Sequence, residues 1–319
     1  MKEDYYLGID IGGTKCAVIS GTEDMKILKK EVFPTETQKG ADHAIKLLLS
    51  TAREVVAGIG SQGLKAIGIS CGGPLDSRKG IVHSPPNLPG WDNIPVVKYF
   101  NDIFNVPVYL QNDANACALA EWKFGAGKGT QNMVFLTFGS GMGAGIIING
   151  KLYSGTNDLA GEVGHIRLAD DGPEAYGKKG SFEGFCSGNG IARLARKIAI
   201  ERLSAGERML FCTTPEEADR ITTKDIAEAA FKGDLTAIEI FKTSGTWLGK
   251  GLSIIIDILN PEMIVIGSVY ARSKEFIEPA CMKIIEQEAL EPARRVCRVV
   301  PAALGESVGD YASLSVAMQ

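Results

Sequence analysis

Histidine is scarce in this chain: His43, His83 and His165 are the only three in 319 residues. None has a Cys or His neighbour at metal-ligand spacing, which argues against a local zinc cluster. The seven cysteines are scattered, odd in number and contain no Cys-x-x-Cys pair. They read as free thiols in a reducing cytoplasm, with Cys16 and Cys71 acting as small core hydrophobes. No apolar run reaches the 18 or so residues that a spanning helix requires. No block of Lys and Arg exists either, and the net charge is −4, so the chain lacks an electrostatic footprint for nucleic acid. The opening Met-Lys-Glu-Asp-Tyr-Tyr leads straight into an apolar strand and reads as having no signal peptide. A cytoplasmic location with no membrane partner is the expectation.

Hydrophobic content of 45% and charged content of 23% are ordinary for a globular protein. The length suits two domains of about 130–180 residues each. Residues 7–20, Leu-Gly-Ile-Asp-Ile-Gly-Gly-Thr-Lys-Cys-Ala-Val-Ile-Ser, form the most informative stretch. An apolar strand ends in an acid, turns on two glycines and returns as a second strand. Gly12 and Gly13 carry no Cβ, so backbone N–H groups can approach an anion closely. Thr14 adds a hydroxyl, Lys15 a cation, and Asp10 can hold a hydrated Mg²⁺ that bridges phosphates. An ordinary Gly-Gly hairpin satisfies the same pattern. Residues 133–148 repeat it around Gly139, Ser140, Gly141, Gly143 and Gly145. Two such hairpins, roughly 125 residues apart, suggest related domains that each offer a loop to one polyphosphate. The pair resembles the superfamily of sugar kinases, heat-shock chaperones and actin, in which nucleotide is clamped between duplicated domains.

The remaining pattern alternates strands with helices. It predicts a third strand at 26–33, an amphipathic helix at 41–57, a buried strand at 65–70 and a structured loop at 75–93 crowded with proline. A helix at 94–104 capped by Asp92 or Asn93, a strand at 106–110 and a helix from Ala114 to Phe124 follow. Beyond the second hairpin and a polar loop at 154–181, the pattern predicts helices at 183–203, 224–232, 235–259 and 273–289. Strands at 263–266 and 296–300 and a last helix at 306–317 complete the series. The helix at 235–259 is apolar enough to be an interdomain or core element. The polar segment 207–220 has no evident purpose.

Asp113 is the candidate general base. It sits where a strand meets a helix, and ligands of open α/β sheets bind at the carboxyl ends of strands. A carboxylate there can take the proton of a hydroxyl attacking the γ-phosphoryl of ATP. Capping the following helix is the competing role. Glu162 and His165 lie three apart in a glycine-flanked loop, where an acceptor and an imidazole can fix adjacent sugar hydroxyls. His43 and His83 read as ordinary surface residues.

Six ordered motifs are Asp-Ile-Gly-Gly-Thr-Lys (10–15), Cys-Gly-Gly-Pro (71–74), Pro-Asn-Leu-Pro-Gly-Trp (86–91), Asn-Asp-Ala-Asn-Ala (112–116), Gly-Ser-Gly-Met-Gly-Ala-Gly (139–145) and Gly-Glu-Val-Gly-His (161–165). Together they closely resemble the ROK family of bacterial sugar kinases and regulators. The resemblance implies an α/β chain with a two-domain actin-like ATPase (ribonuclease H-like duplicated) fold and a central interdomain cleft. It places residues 1–115 with a C-terminal helix 305–319 in one domain and 116–304 in the other. By this resemblance Asp113 matches the catalytic aspartate. Gly73, Asn87, Asn112, Glu162, His165 and Glu183 match sugar-contacting positions. ATP and Mg²⁺ would be held by Asp10, Gly12, Gly13, Thr14, Lys15, Gly139, Ser140, Gly141 and, near the adenosine, Gly267. A homodimer and a hexose or N-acetylhexosamine substrate phosphorylated at the 6-hydroxyl are implied as well.

Two departures stand out. The family's Cys-x-Cys-Gly-x-x-Gly-Cys-x-Glu zinc module corresponds to residues 174–183, where Glu174, Tyr176 and Ser181 replace the three cysteines. A structural zinc is therefore not expected, and the loop must be held by packing, with Tyr176 and Phe182 as candidates. At Gly267-Ser268-Val269 side chains stand where relatives often carry glycines. Besides the kinase, a sugar-responsive transcriptional regulator and a catalytically idle sugar-binding protein are alternatives. Six residues ahead of Leu7 are too few for a DNA-reading module, which weighs against the regulator.

Overall fold

The computed structural model describes residues 4–319. The reading of Met1–Glu3 as a leaderless lead-in lies outside the described residues. Strand β1 (Tyr5–Ile11) forms an antiparallel hairpin with β2 (Lys15–Gly21), which pairs with β3 (Ile27–Pro34). Helix α1 (Ala41–Ile59) buries Ala44, Ile45, Leu48, Ala52, Val55 and Val56, the stripe that its 3.6-residue spacing dictates. Strand β4 (Leu64–Cys71) pairs in parallel with β1. The proline-crowded loop contains a two-residue hairpin, β5 (Leu75–Asp76) with β6 (Ile81–Val82), and is anchored by fully buried Leu88 and Trp91. Helix α2 (Val96–Phe104) begins later than expected. Pro95 takes the cap position, while Asn93 adopts a left-handed φ of 57° and hydrogen-bonds His83 Nδ1. Pro cannot donate the N–H that the first turn leaves unpaired anyway, so it starts a helix without penalty. Strand β7 (Val108–Asn112) pairs in parallel with β4, and α3 (Asp113–Phe124) follows at once.

Next come β8 (Met133–Leu136), β9 (Ala144–Ile148) and β10 (Lys151–Leu152). A small hairpin, β11 (Glu174–Ala175) with β12 (Lys178–Lys179), precedes α4 (Phe182–Phe185) and α5 (Gly188–Ser204). One continuous helix was the expectation for 183–203. The chain breaks it at Cys186 because Ser187 caps a new helix by accepting the Gly190 N–H. Helix α6 (Thr223–Phe231) carries a Thr222/Asp225 capping box. Helix α7 (Leu235–Leu259) is a core helix: it packs on α9 (Lys274–Glu288) through Gly245 and Gly249, where a Cβ would lie 2.3 Å from the Ile277 carbonyl oxygen and 2.6 Å from that of Cys281. Strand β13 (Met263–Ile266), the short helices α8 (Val269–Arg272) and α10 (Glu291–Val296), strand β14 (Arg298–Pro301) and helix α11 (Val308–Ala317) complete the chain.

Two five-stranded sheets result, ordered β3-β2-β1-β4-β7 and β10-β9-β8-β13-β14. By contacts the chain forms two compact units, residues 4–131 with 145–160 and 303–319, and residues 132–144 with 161–302. In the first, α11 lies directly on β1 and β4 because Gly8 and Gly68 present no side chain. A Cβ on Gly68 would meet the Ser313 oxygen at 2.2 Å. In the second, β13 runs parallel to both β8 and β14 above a core that includes Phe138, Phe182, Phe241, Leu252 and Tyr270. No helix among the described residues is long and apolar enough to cross a membrane.

Candidate active site

Strand register decides which residues meet in the first unit. Ile11 pairs with Cys71 and Cys71 with Asn112, so three parallel strands end in line. Their carboxyl ends bring Asp10, the Gly72-Gly73 turn, Asn112 and Asp113 to one edge of the sheet, where such sheets bind ligands. Asn112 caps α3 by accepting the Ala114 N–H at 2.9 Å. Asp113 accepts the same N–H through Oδ1 at 2.8 Å. The side chain of Asn112 also stands 3.0 Å from where a Gly73 Cβ would be, and that of Asn87 stands 3.2 Å from a Gly72 Cβ. A Cβ on Gly13 would meet the Asn87 carbonyl oxygen at 2.5 Å. The glycine turn of the first hairpin, the candidate base and three candidate sugar positions (Gly73, Asn87, Asn112) are thus gathered together. Thr14 and Lys15 are exposed beside them.

The electrostatics follow from burial first and from crowding of like charge second. Burial, then Asp113 and Asp310, push the Asp10 carboxyl up to about 6, against the pull of Lys15 and Lys30. Removal from bulk water raises Asp113 as well, though its tip remains open to solvent. Asp310, on α11, is itself paired with Lys30 at 2.7 Å. Such surplus negative charge at a strand end suits a divalent cation carried in with a polyphosphate. Sequence reading missed Asp310: it lies 280 residues from its partner Lys30, and only the packing of α11 brings it to Asp10. Past Pro74 a cavity of ≈ 480 Å³ opens, lined by Arg78, His83, Asn157 and Leu159 among others. His83, read from sequence as an ordinary surface residue, stands on its wall.

In the second unit the glycine turn at 139–143 is gripped from three sides. Glu183 Oε2 accepts the Met142 N–H at 2.9 Å. Gly161 and Gly164 lie so close that added Cβ atoms would fall 2.0 Å from the Ala144 carbonyl oxygen and 2.4 Å from that of Met142. The Gly188 N–H donates to the Gly139 carbonyl at 2.7 Å. Glu162 and His165, both exposed, are therefore carried on a loop bonded directly to the second hairpin. Gly267 closes the group, its N–H donating to the Leu136 carbonyl at 3.0 Å. Ser268 has an uncommon left-handed φ of 50°, and its hydroxyl is 3.8 Å from a Gly139 Cβ position. Ser140 is exposed at the tip.

Residues 6–318 match the ROK family profile. The chain belongs to the ROK family. Glucokinase of Thermotoga maritima is 34% identical over 85% of this chain and 84% of its own. A xylose repressor of Caldicellulosiruptor bescii is 30% identical over 89% of this chain and 70% of its own. Among solved structures, a ROK glucokinase from Streptomyces griseus in complex with glucose and AMPPNP aligns with a TM-score of 0.78 at 30% identity, covering 99% of both chains. The fold is the actin-like two-domain ATPase fold of the ROK sugar kinases.

The donors of the 174–183 segment do not fit a structural zinc. The Ser181 hydroxyl is committed to capping α4 through the Gly184 N–H at 3.1 Å. Glu174 is an exposed strand residue, and the Tyr176 ring lies against His165. Of the two aromatics expected to hold the loop, Phe182 is fully buried against Gly251 of α7, whereas Tyr176 stays at the surface. Backbone bonds do the rest: the Leu168 and Ala169 N–H groups donate to Gly180, and Phe182 donates to Ile166. Metal analysis of the purified protein should find well under one zinc per chain, and chelation should leave the thermal midpoint unchanged. Stoichiometric zinc would contradict this account of the loop.

Proposed function

We propose that this ROK protein transfers the γ-phosphoryl of ATP to the 6-hydroxyl of a hexose or N-acetylhexosamine, with Asp113 as general base. The observation that carries the reading is the in-line ending of β1, β4 and β7, which brings Asn112 and Asp113 to the same sheet edge as the Gly72-Gly73 turn, against which Asn87 lies. In this scheme Asn112, Asn87 and the Gly73 backbone hold the sugar, together with Glu162, His165 and Glu183. Asp113 Oδ2 takes the hydroxyl proton as the sugar oxygen bonds to the γ-phosphorus. The bond from phosphorus to the β–γ bridging oxygen breaks, and ADP leaves with that oxygen. Gly12, Gly13, Thr14 and Lys15 on one hairpin and Gly139, Ser140 and Gly141 on the other cradle the phosphates, with Gly267 towards the adenosine. Mg²⁺ enters with ATP as part of the substrate, and Asp10 is the carboxylate suited to its hydration shell. No step requires zinc.

A coupled assay with glucose, mannose, N-acetylglucosamine and N-acetylmannosamine, run from pH 5 to 8, tests this directly. ATP-dependent turnover of at least one sugar is the expected result. A carboxyl raised to about 6 is protonated below that pH and ionised above it. The kcat/KM for ATP should therefore fall towards tenfold per pH unit below about 6, because that parameter reports the free enzyme. Protonation of Asp113 acts in the same direction. A flat profile from pH 7 to 5 would show that no raised carboxyl governs nucleotide binding. Sugar binding without turnover would favour the second reading, a sugar-sensing role, which the likeness to a xylose repressor supports.

A further inference from the structure

Residues 174–179 form a minimal hairpin: Glu174 pairs with Lys179 and Ala175 with Lys178, leaving Tyr176 and Gly177 as a two-residue loop. Both loop residues have left-handed backbones, φ 53° and 68°, the type I′ geometry that fits the twist of paired strands. Gly177 suits it. Position 176 favours Asn, Asp or Gly, and a bulky aromatic there is an outlier that costs free energy. Burial does not offset the cost, since Tyr176 is 52% exposed. Its ring is instead stacked on His165, with centroids 3.9 Å apart and planes 24° from parallel. Lys178, the next residue but one, donates its ammonium to the His165 carbonyl. The His165 N–H meanwhile donates to the Glu162 carbonyl at 3.1 Å. The backbone of His165 is thus held from two sides, and only its side-chain torsions remain to be fixed.

We propose that Tyr176 is a positioning residue that orients the His165 imidazole for sugar hydroxyls, an assignment that rests on the kinase reading above. Face-to-face stacking covers one side of the imidazole and leaves both nitrogens at its edge, where a hydroxyl can donate to one and accept from the other. Without the stack, His165 binds sugar only after losing rotamer freedom that the native protein has already surrendered.

The discriminating variant is Tyr176→Asn, because Asn suits the left-handed position better than Tyr. Its thermal midpoint should equal or exceed that of the native protein. Its Kd for the best sugar of the panel, measured by calorimetry without ATP, should rise about three- to tenfold, the worth of an exposed aromatic pair. KM for ATP should not move. Tyr176→Phe, which keeps the ring and loses the hydroxyl, should bind sugar like the native protein. An Asn variant with native sugar affinity would overturn the proposal while leaving the kinase reading intact. Native protein that binds none of the four sugars would overturn both.

Discussion

Replacing Asp113 with Asn should lower kcat for sugar phosphorylation by about 10²–10⁴, the usual contribution of a positioned general base, with the Kd for sugar changed no more than a few-fold. The substitution is close to isosteric and removes only the capacity to take a proton. Its alternative role as a helix cap is covered, because Asn112 Oδ1 already accepts the Ala114 N–H at 2.9 Å. Stability should move in the opposite direction from activity. Partial desolvation holds the Asp113 carboxyl above its ordinary value, so at neutral pH, above the unfolded-state pKa, its ionised form costs the folded state free energy. Asn carries no such charge, and the thermal midpoint at pH 7–8 should hold or rise. Below the unfolded-state pKa the difference should vanish, since both side chains are then neutral. Loss of turnover with gain of stability is the pattern of a residue kept for chemistry. A variant with near-native kcat and a lower midpoint would show Asp113 to be a cap and nothing more.

The glycine hairpins, the strand-end acid and the order of the motifs were all legible in the sequence, because they depend on local backbone needs. Two glycines after an apolar strand signal close backbone approach wherever they occur. The longer strands and helices were legible for the same reason: the spacing of Leu48, Ala52, Val55 and Val56 on α1 states which face is buried. What local pattern does not encode is which remote segments share a surface. Asp310 reaches Asp10 only because Gly8 and Gly68 let α11 settle on the sheet. The break between α4 and α5 was invisible to periodicity, since helical spacing continues through Cys186 and only the Ser187 cap interrupts it. The sequence marks Tyr176 only as a residue standing where relatives carry a cysteine, with packing as its expected role. Its stack on His165 depends on the two-residue turn between β11 and β12, which no hydrophobic periodicity announces.

The Gly161→Ala substitution should damage both stability and sugar binding, because two separate constraints meet at that residue. Its φ of 93° is one that L side chains rarely adopt, and such a conformation costs roughly 1–3 kcal/mol. The added Cβ would also stand 2.0 Å from the Ala144 carbonyl oxygen, a backbone atom that cannot rotate aside. Overpacking of this kind adds about 1–3 kcal/mol. If the loop stays in place the two penalties act together. If it moves, it breaks the 2.8 Å bond from the Ala144 N–H to the Gly161 carbonyl and displaces Glu162, the next residue, from the second glycine hairpin. Either way the KM for sugar should rise at least about tenfold, the effect of misplacing a binding group by a fraction of an ångström to an ångström. Gly40→Ala is the matched control. Gly40 has a comparable φ of 83° but nothing within 4 Å of its Cβ position, so only the conformational penalty applies, at a residue that is not a candidate sugar contact. Its midpoint should fall by a few degrees and its KM should not change. If the two variants behaved alike in both measurements, the contact with Ala144 would have no part in holding the sugar loop.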